Sequence, residues 1–269
     1  MTSSQDTADR SLAHWSEAGR AEMEAFYVLA TADYRRLAEA ADWPSLLAGR
    51  RSILDVACGS GKFPVALTTY AALPAEPPIA YDLLDPSAFS VDEARARLEP
   101  PFAAAAEHVV TLQDLPEGLT YDVVWATHAL YAVPPAELGL AAERFVGAIA
   151  PGGLGFVAQA TSAGHYVAFY EAYRAGVPGG ADLAPYTSAE QVRDALVGAG
   201  ADVREERIRY TSGTADRAVA EGFLQRCLFD DTLSLEEMEA APVLGDHLAA
   251  CRGTDGTYTF EHEAALLWL

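Results

Sequence analysis

The chain has 269 residues, and 51% of them are hydrophobic, which is enough to build one large α/β domain. Its 18 basic and 39 acidic residues give a formal net charge of −21. Nucleic acids bind clustered cations that displace counterions, and acidic membranes attract basic segments, so this charge argues against both kinds of partner. The sequence leaves the oligomeric state open.

The sequence lacks the marks of export and of metal binding. The first ten residues, MTSSQDTADR, are polar where a signal peptide has an apolar stretch, and no apolar run is long enough to span a bilayer. The three cysteines, Cys58, Cys227 and Cys251, form neither an even disulfide framework nor a ligand-spaced pair. We therefore expect a cytoplasmic protein with no metal site.

The hydrophobic pattern predicts helices followed by an alternating α/β region. Residues 11–47 have helical spacing and are predicted to form two helices before the sheet. Short aliphatic or β-branched runs then alternate with Ala-rich helical segments, which indicates crossover units and a parallel sheet. These runs predict strands at 52–56, 78–83, 108–112, 122–126 and 153–158.

The C-terminal part is predicted to add helices and two further strands. Thr187-Ser188-Ala189-Glu190 is a capping sequence that opens a helix near 188–197. A strand near 202–210 follows, then helices near 217–228 and 234–250, and a final strand near 257–268. No linker or composition break divides the chain, so a single domain is predicted.

The most informative stretch runs from Ile53 to Lys62. A buried strand leads into a Gly-x-Gly turn and then into a helix, and glycines in such a turn let the backbone approach a ligand closely. Free N–H groups at the start of the helix can bind a carboxylate or hydroxyl. A dinucleotide fingerprint would place a third glycine at position 64, which is Pro64, and this argues against NAD. The candidate cofactor-binding residues here are Asp55, Ala57, Gly59 and Gly61.

Polar groups also follow the next three predicted strands. After the second strand, the carboxylate of Asp85 can accept hydrogen bonds from both hydroxyls of a ribose. A polar side chain after the third strand can meet an adenine amine. Further candidates are therefore Asp85, Pro86 and Ser87 after the second strand, Gln113 and Asp114 after the third, and Thr127 and His128 at the end of the fourth. In this order, the four segments resemble the class I S-adenosylmethionine-dependent methyltransferases, and S-adenosyl-L-methionine is the implied cofactor.

A closer resemblance is to histamine N-methyltransferase and its bacterial relatives. It is carried by Asp85-Pro86-Ser87-Ala88, Ala129-Leu130-Tyr131, Thr161-Ser162-Ala163-Gly164, Tyr186-Thr187-Ser188-Ala189, Phe223-Leu224-Gln225-Arg226-Cys227 and Phe260-Glu261-His262. The resemblance implies an α/β, Rossmann-like sheet of seven strands, the last antiparallel, with helices on both faces. It also implies an N-terminal helical lid at 1–48, a cofactor-binding core at 49–160, and acceptor-pocket helices with the final strands at 161–269.

Three residues carry over from this family by position. Asp33 matches a glutamate that holds the acceptor amine, His128 matches a glutamine, and His262 matches an asparagine. Because both amides are histidines here, the resemblance does not support histamine itself as the substrate. The two histidines are expected to accept a proton near neutral pH, which an amide cannot do.

The remaining candidates are aromatic. In the family, the helix after the fifth strand walls the acceptor pocket with aromatic rings, which points to Tyr166 near the reacting centre. We expect the pocket wall to include Tyr27, Tyr131, His165 and Phe169, and rings near the sulfonium to stabilise its charge by cation–π attraction. Tyr173 is expected in the same wall.

The implied enzyme is a transferase of small-molecule biosynthesis that methylates the nitrogen of a small amine. An alternative keeps the fold and changes the chemistry: as in azetidine-2-carboxylate synthases, the α-amine of S-adenosylmethionine attacks its own γ-carbon and releases methylthioadenosine. A second alternative is a module that binds S-adenosylmethionine without catalysis. Polar groups at the mouth of the sheet favour an enzyme.

Overall fold

A seven-stranded sheet forms the centre of the computed structural model, which describes residues 3–18 and 20–269, without the side chains of 3–6 and 20–22. The strand order is β3-β2-β1-β4-β5-β7-β6. β7 runs antiparallel to its neighbours, β5 and β6, whereas β1 to β5 pair in parallel. The strands are β1 (Ser52–Val56), β2 (Ile79–Leu84), β3 (Phe102–His108), β4 (Tyr121–Thr127), β5 (Ile149–Ala160), β6 (Arg204–Thr214) and β7 (Tyr258–Trp268).

Helices cover both faces of this sheet. They are α1 (Ser3–His14), α2 (Arg20–Glu39), α3 (Trp43–Leu47), α4 (Lys62–Tyr70), α5 (Ala88–Arg97), α6 (Leu138–Gly147), α7 (His165–Gly176), α8 (Ala189–Gly198), α9 (Arg217–Leu228), α10 (Leu235–Ala240) and α11 (Leu244–Cys251). Short 3-10 turns occupy Leu112–Asp114, Leu130–Ala132 and Gly180–Asp182. Among the described helices, none has the length and apolar character needed to cross a membrane.

The buried side chains form a core on each face of the sheet and a third cluster among the C-terminal helices. Successive residues of β1 alternate between the faces, so that Ile53 packs with α3 and α4 while Leu54 packs with α6 and α8. The third cluster joins α2, α7 and α9–α11 to β7 around Phe223 and Phe260. This cluster lies against the helices that border the candidate site.

The topology creates a crevice at one edge of the sheet. From β1, the chain runs outward to β2 and β3 on one side, whereas β4 and β5 lie on the other side. Open α/β sheets bind ligands where the strand order reverses in this way, beyond the carboxyl ends of the strands. The N-terminal segment reaches this edge, because the hydroxyl of Ser87 donates a 2.7 Å hydrogen bond to the carbonyl oxygen of Trp15.

The predicted fold class is confirmed, but the predictions for the N-terminal helices, the third strand and the helix at 234–250 are wrong in detail. Three described helices, α1, α2 and α3, precede the sheet where two were predicted. The third strand is Phe102–His108 rather than 108–112, because its four consecutive alanines carry little β-propensity and hide the strand. The helix predicted at 234–250 is divided into α10 and α11. Pro242 lies at this break, where a proline cannot continue a helix.

Candidate active site

The larger of two neighbouring cavities, about 220 Å³, opens at the carboxyl ends of β1, β2 and β4. Its walls come from the segments that directly follow these strands and from the N-terminal helices. Predicted site residues in this wall are Tyr27, Ala57, Gly59, Asp85, Pro86, Gln113, Thr127, His128 and Tyr131. The structure therefore brings most of the predicted cofactor loop and strand ends together around one space.

The two glycines of the turn have different structural roles. Both adopt positive φ, 52° at Gly59 and 70° at Gly61, a region in which a side chain is strained. A Cβ on Gly61 would lie 3.0 Å from Cα of Ala94, so this glycine allows α4 and α5 to pack closely. A Cβ on Gly59 would meet no protein atom within 4 Å, and Gly59 lines the larger cavity. Gly59 thus leaves space for a ligand.

Asp85 links the ends of β1 and β2. Its Oδ2 accepts a 3.0 Å hydrogen bond from the N–H of Gly59, and its Oδ1 accepts a 2.8 Å bond from the N–H of Ser87. Burial raises the pKa of this carboxyl to about 6, although the two backbone donors oppose the rise. Asp85 is therefore mainly ionised at pH 7, with further lone pairs for donors in the cavity.

Four predicted cofactor residues lie outside the lining. The carboxylate of Asp55 accepts a 2.7 Å hydrogen bond from the Tyr81 hydroxyl within the sheet, where burial raises its pKa to about 7. Ser87 caps α5, accepting from the N–H of Ser90. Asp114 accepts a 2.8 Å bond from the Thr111 hydroxyl. With Gly61, these residues support the shape of the loops around the cavity.

A smaller cavity of about 80 Å³ adjoins the larger one. Both are lined by Trp15, Tyr34, His128 and Tyr131, so these four residues form the junction between the cavities. The rest of the smaller cavity is lined by Phe26, Asp33, Gln159, Ala160, Tyr166, Val167, Tyr186, Arg226, Cys227 and Phe229. Aromatic rings dominate this wall, and the polar groups among them are few and buried.

Asp33 is the acidic side chain of the smaller cavity. It is only 2% exposed, and its Oδ2 accepts a 2.6 Å hydrogen bond from the Tyr166 hydroxyl. Burial raises the pKa of this carboxyl to about 7, and interactions with Tyr166 and Tyr210 limit the rise. Asp33 can therefore exist in both protonation states near neutral pH.

His128 lies at the junction in a strained backbone conformation, with φ of 50°. Its own N–H donates a 2.7 Å hydrogen bond to the carbonyl oxygen of Ala158, which holds the end of β4 against β5. Burial lowers the pKa of its imidazole to about 4, so the ring is neutral at pH 7 and can accept a hydrogen bond. This differs from the sequence-based expectation of a proton acceptor near neutral pH.

His262, His165 and Phe169 line neither cavity. Burial lowers the pKa of His262 to about 3, and its Nε2 lies 2.8 Å from the Ser212 hydroxyl. The centroids of the His262 and Tyr166 rings are 4.8 Å apart, so His262 packs against Tyr166. His165 packs against Phe169 and Phe260 in the C-terminal cluster.

Several lining residues were not singled out from the sequence as site residues. Gln159 is the one polar residue in the otherwise apolar run 156–160 of β5, a signal that could have identified it. Arg226, only 2% exposed, lies on the buried face of α9 between Phe223 and Cys227. Its guanidinium lies 4.7 Å from the centre of the Trp15 ring. Trp15 carried no comparable signal because it reaches the site only through the tertiary fold.

The larger cavity fits S-adenosylmethionine on three observed features. The ionised Asp85 can accept hydrogen bonds from ribose hydroxyls, and the space beside Gly59 admits the amino-acid part of the ligand. Aromatic rings of Trp15, Tyr34 and Tyr131 at the junction suit a positively charged sulfonium.

Comparison with known proteins agrees with this fit. Residues 54–154 match the family model described as a methyltransferase domain, and no curated protein matches the chain. Magnesium protoporphyrin IX methyltransferase from Synechocystis, solved with bound S-adenosylhomocysteine, is similar in fold, with 12% identity and a TM-score of 0.54 over 96% of this chain and 99% of that chain. An S-adenosylmethionine-dependent methyltransferase from Thermotoga maritima, described as a possible histamine N-methyltransferase, has 18% identity and a TM-score of 0.50 over 74% and 84% of the two chains.

At these identities the solved structures establish a common fold, and the narrower resemblance to histamine N-methyltransferases stays a prediction. The family match covers the strands and loops that line the larger cavity, from β1 to the start of β5. Residues 54–154 thus match a methyltransferase domain, and the chain is a transferase that uses S-adenosylmethionine.

Proposed function

We propose that the chain transfers the methyl group of S-adenosylmethionine to the nitrogen of a small amine bound in the smaller cavity. The observation that carries this proposal is a set of three buried atoms: Oδ1 of Asp33, Oε1 of Gln159 and Nε2 of His128. None of them has a hydrogen-bond partner among the residues described, and all three residues line the smaller cavity. A ligand with several N–H donors would satisfy such a set of acceptors.

The orientation of Gln159 strengthens this argument. Its amide nitrogen donates a 3.1 Å hydrogen bond to the carbonyl oxygen of Thr187, which leaves its oxygen as the unpartnered atom. Because the imidazole of His128 is neutral, it also has a lone pair to offer. A hydroxylated or apolar acceptor would leave at least part of this set unsatisfied, at a cost of about 1–3 kcal/mol for each buried group.

The chain's own residues then have distinct tasks. S-adenosylmethionine supplies a methyl group that is already activated on its sulfonium. Asp85 and the Gly59 turn hold the ligand in the larger cavity, while Trp15, Tyr34 and Tyr131 enclose the junction and exclude water. We assign the lid function to the N-terminal segment, residues 1–48, because it supplies Trp15 and Tyr34.

An ammonium acceptor must lose a proton before its nitrogen can act as a nucleophile. Asp33, with a pKa of about 7, is better suited to take this proton at neutral pH than His128 or His262, whose pKa values are about 4 and 3. Tyr166 holds the Asp33 carboxylate in position, and His128 and Gln159 orient the remaining N–H groups. The proton thus moves from the acceptor nitrogen to an oxygen of Asp33.

A second candidate function is cyclisation of S-adenosylmethionine to azetidine-2-carboxylate. The smaller cavity, about 80 Å³, is compact and directly adjoins the larger one, which favours an amine that belongs to the ligand itself. In this reaction the α-amine nitrogen bonds to the γ-carbon, the bond from that carbon to sulfur breaks, and methylthioadenosine leaves. The same acceptors would receive the proton of the amine.

One experiment separates these functions from simple binding. The purified chain is incubated with S-adenosylmethionine alone and with a panel of small primary and secondary amines, and the adenosyl products are separated chromatographically. S-adenosylhomocysteine that forms only with an added amine supports methylation. Methylthioadenosine that forms at enzymatic rates without an acceptor supports cyclisation. Binding with neither product indicates a non-catalytic module and overturns both enzymatic proposals.

A further inference from the structure

Three side chains with metal-binding atoms meet beside the C-terminal cluster, outside both cavities. His165 is the first residue of α7, and His247 and Cys251 lie on α11. Residues four apart on a helix share a face, so His247 and Cys251 project together toward α7. One ligand atom from each of the three residues lies within 4.8 Å of the other two.

The separation of the two imidazole nitrogens matches the coordination shell of zinc. Nε2 of His247 lies 3.4 Å from Nδ1 of His165, a long separation for a hydrogen bond between two imidazoles. With zinc–nitrogen bonds of about 2.0–2.1 Å, a tetrahedron has a nitrogen–nitrogen edge of about 3.4 Å. The two imidazoles are therefore already at the distance that a shared tetrahedral ion requires.

The surroundings of His165 hold its ring in a fixed position. The residue is only 3% exposed, and its ring packs against those of Phe169 and Phe260, with centroids 5.2 and 4.5 Å away. Its Nδ1 faces Nε2 of His247 at 3.4 Å, so this nitrogen is the one that is placed to bind an ion between the two rings.

We propose that His165, His247 and Cys251 bind one zinc ion, with water in the fourth position. Cys251 binds as the thiolate, and its proton passes to solvent. His247 and Cys251 are half-buried, which gives an ion access from solvent. Soft thiolate and imidazole donors suit zinc better than magnesium or calcium, which prefer oxygen ligands.

The site would act structurally. It ties α11 to the first turn of α7, and the residue after His165 is Tyr166, whose hydroxyl holds Asp33 in the smaller cavity. The ion lies behind this wall and contacts neither cavity, because none of its three ligands lines them. This inference does not depend on which acceptor the enzyme uses.

The test is metal binding by the full-length chain after treatment with a chelator. Titration with Co²⁺ should give one equivalent of binding, with a thiolate-to-cobalt charge-transfer band and the intense visible bands of tetrahedral cobalt. Zn²⁺ should displace the cobalt and raise the melting temperature. Cys251→Ser should abolish the charge-transfer band, and His247→Gln should weaken Zn²⁺ binding at least about tenfold, as expected for loss of a ligand.

A matched control is Cys227→Ala, which removes a buried cysteine outside the cluster and should still bind one equivalent of Co²⁺ with the same spectrum. Circular dichroism establishes that each variant is folded. The proposal is overturned if the folded parent chain binds no stoichiometric Zn²⁺, or if binding by Cys251→Ser and His247→Gln equals that of the parent.

Discussion

The hydroxyl of Tyr166 donates a 2.6 Å hydrogen bond to Oδ2 of Asp33 and thereby joins α7 to α2 in the wall of the smaller cavity. The two residues are 133 positions apart in the chain, and neither reaches the cavity through a local motif. This bond leaves Oδ1 of Asp33 without a partner among the described residues. The carboxyl of Asp33 also interacts with Tyr210, and Oδ1 is the oxygen that remains open to a ligand.

Loss of this hydrogen bond should change the pH profile of turnover. In Tyr166→Phe the ionised Asp33 loses a donor, so its pKa should rise above about 7 and the acidic limb of kcat/KM should move to higher pH. The shift expected for one hydrogen bond of about 1.4 kcal/mol is roughly one pH unit. Tyr170→Phe, which removes a hydroxyl that faces Thr7, should leave the limb in place. An unshifted limb in Tyr166→Phe would exclude Asp33 as the titrating group.

The burial of Asp33 should also make the free energy of unfolding depend on pH. Its pKa is about 7 when folded and 3.8 when unfolded, so between these values the native state retains a proton that the unfolded state has released. Its contribution to stability is therefore full below pH 3.8, declines as pH rises toward 7, and is constant above. Asparagine cannot ionise. The free energy of unfolding of Asp33→Asn, relative to that of the parent, should therefore increase by up to about 4 kcal/mol as the pH rises from 4 to 8.

Urea unfolding of both proteins at pH 5 and pH 8 measures this difference. The exposed Asp202 provides the control, because Asp202→Asn makes the same loss of a carboxylate outside the core. If Asp33→Asn stabilised the chain equally at pH 5 and pH 8, the carboxyl would not be perturbed by burial as described.

The parts of the site that are built from local segments can be predicted from the sequence. The Gly59 turn and Asp85 follow directly from strands, so their place at the edge of the sheet follows from the alternating pattern. Gln159 and Arg226 were not singled out as site residues, because their place in the cavity depends on how β5 and α9 pack against distant helices. His165 was expected in the pocket wall, but its ring packs into the aromatic cluster instead. Helical periodicity predicts that one face of a helix is buried, but it does not identify the element against which that face packs.

Protonation states were beyond the reach of the sequence for the same reason. A histidine at the end of a strand has an ordinary pKa near neutrality, whereas the aromatic enclosure of His128 lowers its pKa to about 4. The opposite shift makes Asp33 the better proton acceptor. Both shifts arise from burial, which only the packed structure reveals.

Cofactor affinity should depend on the ionisation of Asp85. Ribose hydroxyls donate to the carboxylate, so the dissociation constant for S-adenosylhomocysteine should be flat above pH 7 and increase as pH falls through about 6, by at most tenfold per unit. Asp85→Asn should weaken binding about 10- to 100-fold, because one amide cannot accept from both Gly59 and Ser87. It should also remove the pH dependence, because asparagine does not ionise. Calorimetric titration at several pH values measures both effects. If the dissociation constant of Asp85→Asn still increased as pH fell through about 6, the titrating group would be a residue other than Asp85.

Changing each glycine of the turn to alanine should affect a different property: stability for Gly61 and ligand affinity for Gly59. Gly61→Ala places a Cβ 3.0 Å from Ala94 at positive φ, so it should lower the free energy of unfolding by about 1–3 kcal/mol. Gly59→Ala meets no protein atom, so it should cost only about 1 kcal/mol while its Cβ reduces ligand affinity. Thermal unfolding and calorimetric titration of both variants distinguish the two outcomes. Equal affinities in Gly59→Ala and the parent would place the ligand away from this turn.

His128 should affect turnover far more than cofactor affinity. The residue borders both cavities, but its neutral Nε2 is available to the acceptor nitrogen, and loss of one such hydrogen bond reduces kcat about tenfold. His128→Asn is the informative change, because asparagine tolerates the φ of 50° at this position and should preserve the end of β4. His128→Val removes the same acceptor but adds backbone strain, so it should also lower the melting temperature.

Steady-state kinetics with the best amine from the panel gives kcat, and calorimetry with S-adenosylhomocysteine gives the dissociation constant. A variant in which the dissociation constant rises as much as kcat falls would place His128 with the cofactor rather than with the acceptor.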